Sequence, residues 1–294
     1  MSKNNSDALF DYPIEKDEMI TEAERKKDVI IISFLLLLHM GFRFLAGLFP
    51  SEWYAGAVLF LGTLIPLAVF LSLHKGKKHL SHWLRHPVHI ESAFSVFPLL
   101  LFFGIGFGFL QYYIGNVFAS VGMASPPRDN VVAILLFDLL LPSVGEELLF
   151  RGVVLQRLRH YGMRAAVIVS ALLFAASHGN WAQIPYALIA GVLLGTVALY
   201  THSVLPAIAL HFLLNFVSVE LSLIPESVAF FFYLFFMVLS LIFTFAFWKH
   251  TRRAFRKLRK KEKTRSLRSD VLAMLLSSLG VVLVAELVLS FRWF

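Results

Sequence analysis

Apolar residues along this chain fall into long blocks separated by short polar stretches rich in Lys, Arg, Pro and Gly. A helix needs about 20 such residues to cross a bilayer core of about 30 Å. The blocks run over Val29 to Phe49, Trp53 to Leu73, Ser92 to Phe118, Val131 to Leu155, Ala165 to Ser177, Ile184 to Tyr200, Val204 to Leu223, Val228 to Trp248 and Val271 to Phe291. Inside lipid every backbone N–H and C=O must be bonded within its own segment, so each block is predicted to be a helix. The expected fold is all-α, a polytopic membrane helix bundle of about eight or nine transmembrane helices. Splitting the long third block, or making the last one re-entrant, changes the count by one.

Punctuation between the blocks supports this division. Pro50-Ser51-Glu52 makes a short turn, Ser125-Pro126-Pro127-Arg128-Asp129-Asn130 a turn-rich connector, and Ile224-Pro225-Glu226 a break. Pro98, Gly104, Gly106 and Gly108 in the third block permit a bend or close contact, and Gly191 and Gly195 have small-xxx-small spacing, which predicts helix packing. Residues 1–28 read as a polar cytoplasmic tail, 29–291 as one transmembrane domain, and 249–268 as a basic cytoplasmic loop.

The chain is 58% hydrophobic and carries 30 phenylalanines, more than a water-soluble domain of 294 residues needs. With no cysteine, disulfides, thiolate zinc sites and a cysteine nucleophile are excluded. The net charge of +8 does not point to nucleic acid, because its basic residues collect in loops between apolar blocks. The N-terminal tail, His74 to His89, Arg157 to Arg164 and Lys249 to Arg268 all fall on one side of the predicted topology. By the positive-inside rule that side is cytoplasmic, with the C-terminus outside and anionic lipid the partner of the basic loops. The first block follows a polar tail and is long enough to span, so it is read as a retained anchor.

A charge at membrane depth costs several kcal/mol unless compensated, and the fourth block carries Glu146, Glu147 and Arg151. At i and i+4, Glu147 and Arg151 can pair, whereas Glu146 projects about 100° away and keeps a carboxyl for chemistry. A structural ion pair with a protonated spectator is the plainer reading. His178 ends Phe174-Ala175-Ala176-Ser177-His178, which sets Phe174 beneath the imidazole, and His211 shares a helix face with Asn215. Counted from the inner ends of straight helices, Glu146 and His211 lie in the cytoplasmic half; His178 lies higher, so helix tilt must bring it in. Ser177, adjacent to His178, does not face it. His39 and Arg43 are candidates for a polar cavity, but Arg43 is placed to snorkel to the interface. Glu286 in the last block has no obvious partner.

Together, Glu-Glu-x-x-x-Arg at Glu146 to Arg151, Phe-x-x-x-His at Phe174 to His178 and His-x-x-x-Asn at His211 to Asn215 resemble the three motifs of the CPBP family. That family contains the CAAX prenyl endopeptidases, also called Abi proteins, and bacteriocin-processing and bacteriocin-immunity proteins. The resemblance covers about 131–223. It implies an intramembrane endopeptidase acting on a membrane-presented peptide or protein, such as a C-terminal tail, in the bacterial inner (plasma) membrane. On the same resemblance Glu146 is the base that activates water, helped by His178; His211 and Asn215 hold the oxyanion, and Glu147 and Arg151 brace the helix. No cofactor is expected. Glu146, His178 and His211 also match the ligand set of a catalytic zinc, so a zinc-dependent version stands as an alternative. A non-enzymatic immunity or scaffold protein and a proton-relay transporter are the other readings.

Overall fold

The computed structural model describes residues 21–46, 48, 52–72, 98, 100–106, 108, 131–179, 181, 183–223, 225–249, 252 and 267–290. Every regular element among them is helical. Most of the third apolar block, the loops at 74–89 and 125–130 and most of 249–268 lie outside the described residues.

Helix α1 (Glu22–Ala46) starts well before Val29. The Glu24 N–H donates to Thr21 Oγ1 at 3.2 Å while Glu24 Oε2 accepts from the Thr21 N–H at 2.9 Å, a capping box. Residues 22–28, predicted as tail, are therefore its first turns. Helix α2 (Glu52–Ser72) packs back on α1 at Gly62, where His39 Nδ1 donates to the Gly62 carbonyl at 2.8 Å.

The fourth block forms a composite helix, α3, over 131–158. Within it, Leu135–Leu140 and Phe150–Val154 adopt the wider π register on either side of the α-helical Leu141–Leu149. Pro142 accounts for the first widening: lacking an N–H, it cannot bond the carbonyl of Asp138 four residues earlier. Gly162, at φ +138°, turns the chain into α4 (Met163–Ser177). Then follow α5 (Ile184–Thr201), α6 (Leu205–Leu223) and α7 (Glu226–Ala246).

The C-terminal block differs from its prediction. Instead of one span it forms α8 (Leu267–Leu275) and α9 (Ser278–Ser290), bent by 70° at the break. Ser277 explains the corner, since its hydroxyl donates to the Met274 carbonyl and accepts from the Leu279 N–H at 3.3 Å, replacing helix-ladder bonds.

The main core joins α3, α4, α5 and α6, with residues of α1, α8 and α9 packed against it. Close approach of α4 and α5 depends on Gly191, where an added Cβ would lie 3.0 Å from Ala171 Cα. Outside this core α7 exposes Phe231, Phe235 and Phe245, an apolar surface suited to lipid. Among the described residues two helices, α1 and α5, are long and apolar enough to cross a membrane, and the bent α8–α9 pair makes a third if counted as one span. The chain is an all-helical integral membrane protein.

Candidate active site

Both partners predicted for the fourth block meet as expected from their one-turn spacing. Arg151 Nη1 donates to Glu147 Oε1 at 2.7 Å, with the two side chains 1% and 0% exposed. A third group shares that oxygen: His211 Nδ1 donates to Glu147 Oε1 at 2.8 Å from α6. The guanidinium also reaches the Gly191 carbonyl on α5 at 3.4 Å and lies 4.2 Å above the centre of the Phe174 ring. The carboxylate thus joins α3 to α6, and the guanidinium joins α3 to α5.

Phe174 is the hub of the cluster. Its ring meets Phe150, His178 and His211 edge to face, with centroids 5.2, 4.8 and 5.9 Å away. The ring lies under the imidazole of His178, as the i, i+4 spacing predicted. His178 Nδ1 donates to the Phe174 carbonyl at 2.9 Å, which fixes the tautomer and leaves Nε2 bare. His211 likewise commits Nδ1, to Glu147, and keeps Nε2. Ser177 donates its hydroxyl to the same Phe174 carbonyl at 2.8 Å and is not turned to the imidazole.

Glu146 is placed differently from its neighbour. It is half-buried, its Oε2 is shielded from solvent without a hydrogen-bond partner, and its carboxyl lies within electrostatic reach of His211, Glu147 and Arg151. Glu147 Oε2 is also unbonded, but its other oxygen holds two donors. Asn215 Nδ2 donates to the Asp138 carbonyl at 3.1 Å, the group that Pro142 cannot serve, and keeps a second N–H.

Three features of this region were not anticipated from the sequence. Arg43 does not snorkel: its side chain is 14% exposed and turned inward, against Glu286 Oε2 at 3.4 Å. Its Nη1 donates to the Ser177 carbonyl and, at 3.4 Å, to that of Ala176. Glu286, which had no visible partner in the sequence, thus has one 243 positions away. His39 does not line a cavity with Arg43 but bonds Gly62 and meets the edge of Phe150 at 6.2 Å. Asp138, overlooked among the apolar residues of its block, anchors Asn215 through its carbonyl; the signal was Pro142 at i+4.

Among the described residues no three His, Asp or Glu side chains converge as a metal cage. Tetrahedral zinc needs three such donors at about 2.0–2.2 Å of one point.

No curated protein and no solved structure matches the chain. One family model does, over residues 128–217, a stretch that begins just before α3, ends within α6 and contains Glu146, Glu147, Arg151, His178, His211 and Asn215. Residues 128–217 are similar to the family described as Type II CAAX prenyl endopeptidase Rce1-like, in agreement with the resemblance of the three motifs.

Proposed function

We propose that the chain is a glutamate-dependent intramembrane endopeptidase that hydrolyses a peptide bond in a segment presented to it within the membrane. One observation carries the reading. Of two adjacent carboxyls, Glu147 is committed to Arg151 and His211, whereas Glu146 holds a buried oxygen with no hydrogen-bond partner within electrostatic reach of His211, whose Nδ1 alone is committed.

The chemistry follows from charge and proton balance. Counting Glu146 and Glu147 as anions and Arg151 and His211 as cations, the cluster is neutral, which an apolar bundle favours. A water between Glu146 and His178 gives its proton to the Glu146 carboxylate, with His178 Nε2 as a second acceptor. The oxygen then attacks the peptide carbonyl carbon, and the developing oxyanion takes hydrogen bonds from His211 Nε2–H and the second N–H of Asn215. Glu147 keeps His211 aimed. The proton held by Glu146 passes to the leaving nitrogen, the C–N bond breaks, and a carboxylic acid and an amine result.

The finer assignments belong to the same proposal. They are eight or nine spans in the bacterial inner membrane, a cytoplasmic N-terminus, anionic lipid at the basic loops, and a substrate whose C-terminal tail, prenylated or not, enters the bundle.

The test uses the purified protein in lipid nanodiscs with membrane-tethered peptides. Glu146→Gln lowers turnover by about 10²- to 10⁴-fold, the usual contribution of a general base. Its thermal midpoint stays at the wild-type value, because Oε2 has no bond to lose. Dialysis against a strong chelator, with metal analysis, leaves the wild-type rate unchanged; a loss restored by zinc would favour the metal-dependent reading. A Glu146→Gln variant retaining the full cellular phenotype would instead favour the non-enzymatic immunity or scaffold role.

A further inference from the structure

Outside the matched segment, a buried ion pair from the two ends of the chain closes on the last turn of α4. Arg43 comes from α1 and Glu286 from α9, and the Glu286 side chain is only 3% exposed. The final carbonyls of a helix lack partners within it, and a cation placed there satisfies them and complements the helix dipole. Arg43 bonds two of them, on Ala176 and Ser177, directly before His178. The next residue, Gly179, has φ +62° and passes so close to the guanidinium that any Cβ there would collide with it. Only glycine adopts that conformation freely and leaves this space.

We propose that Arg43, held by Glu286, is a positioning residue for His178: it fixes the last turn of α4 and through it the imidazole that is bonded to the Phe174 carbonyl. The inference rests on the protease reading above and extends it to residues outside the matched domain. The coupling is geometric. The His178 ring is oriented by its bond to the Phe174 carbonyl, one turn back in the segment whose end Arg43 clamps. If that turn frays, Nδ1 loses its acceptor, the ring exchanges tautomers, and Nε2 no longer faces the water.

Removing Arg43 alone would take the cation from the buried Glu286 carboxyl and confound positioning with stability, so the informative variant is Arg43→Met/Glu286→Leu, which removes both charges. It is compared with Glu286→Gln, which keeps the shape and a polar group beside the guanidinium. In the nanodisc assay the double variant lowers kcat by about 10- to 100-fold with KM within about twofold, as expected for a displaced catalytic group. Glu286→Gln stays near wild type. In parallel, NMR of protein carrying isotope-labelled histidine, with His178 assigned by its loss in His178→Gln, reports the tautomer without any need for activity. Wild type gives the single Nδ1-protonated form; the double variant gives exchange between tautomers. An unchanged His178 signature, or wild-type kcat in the double variant, overturns the proposal. If the double variant does not fold, Arg43→Lys, which keeps the charge but not the forked donor, carries both comparisons. If wild type cleaves no peptide, the protease reading falls while the His178 signature still decides this one.

Discussion

Glu147 and Glu146 are chemically identical and one residue apart, yet removing the charge of each has a different consequence. Glu147 accepts from Arg151 at 2.7 Å and from His211 at 2.8 Å, all in the protein interior. Replacing Arg151 by Met leaves that carboxylate without its strongest donor, and a stranded buried charge costs about 3–5 kcal/mol. Arg151→Met is therefore expected to unfold at a lower denaturant concentration by that amount. Adding Glu147→Gln removes the stranded charge while its amide oxygen still accepts from His211 Nδ1, so Glu147→Gln/Arg151→Met recovers most of the stability. Turnover does not recover, because the carboxylate that aims His211 is gone. Equilibrium unfolding in detergent, set beside the cleavage assay, checks both halves; equal stability of the single and double variants would remove Arg151 from its bracing role.

At the scale of helices, the seam between α4 and α5 sets how closely Arg151 and Phe174 stack. Gly191 and Gly195 share one stripe, but only the first is tightly enclosed. A Cβ on Gly191 would lie 3.0 Å from both Cα and Cβ of Ala171 and 3.3 Å from the Phe174 ring, whereas one on Gly195 would meet Val167 no closer than 3.5 Å. Gly191→Ala is thus expected to lower stability by about 1–3 kcal/mol, as overpacking does, and to reduce turnover by displacing Phe174. Gly195→Ala leaves both near wild type, and thermal melts with the same cleavage assay separate the pair. The sequence revealed the stripe but not this ranking, which depends on where α4 lies. The same divide runs through the site. Glu147 with Arg151, and Phe174 with His178, were legible because one helical turn is a local geometry that spacing alone defines. Arg43 with Glu286, and Asn215 with Asp138, were not, since their separations of 243 and 77 positions are bridged only by tertiary packing. The corner at Ser277 was hidden for another reason: a hydroxyl that caps two helices leaves the apolar pattern of its block almost unbroken.

For the molecule as a whole, the orientation in the membrane decides from which side the site is reached. Arg157, at the end of α3, bonds Asp28 near the start of α1 at 3.0 Å, and Arg25 lies 5.9 Å from the centre of the Tyr161 ring. The start of α1 and the end of α3 therefore share one face of the bundle, and that face collects Arg25, Lys26, Lys27, Arg157, Arg159 and Arg164. At the opposite end of α4, the connector from His178 to Gln183 contains no Lys or Arg. By the positive-inside rule the first face is expected in the cytoplasm. Because the chain has no cysteine, a single introduced thiol reports its own side. Lys27, Arg164 and Gln183 are exposed, and the first two flank the basic face while Gln183 begins α5 at the other end. In intact cells a membrane-impermeant maleimide is expected to label Gln183→Cys but neither Lys27→Cys nor Arg164→Cys, with the reverse in inverted vesicles. Labelling of Lys27→Cys and Arg164→Cys on opposite sides would contradict the ion pair between Asp28 and Arg157. Both labelled from outside would invert the molecule and direct the search for substrates to the other compartment.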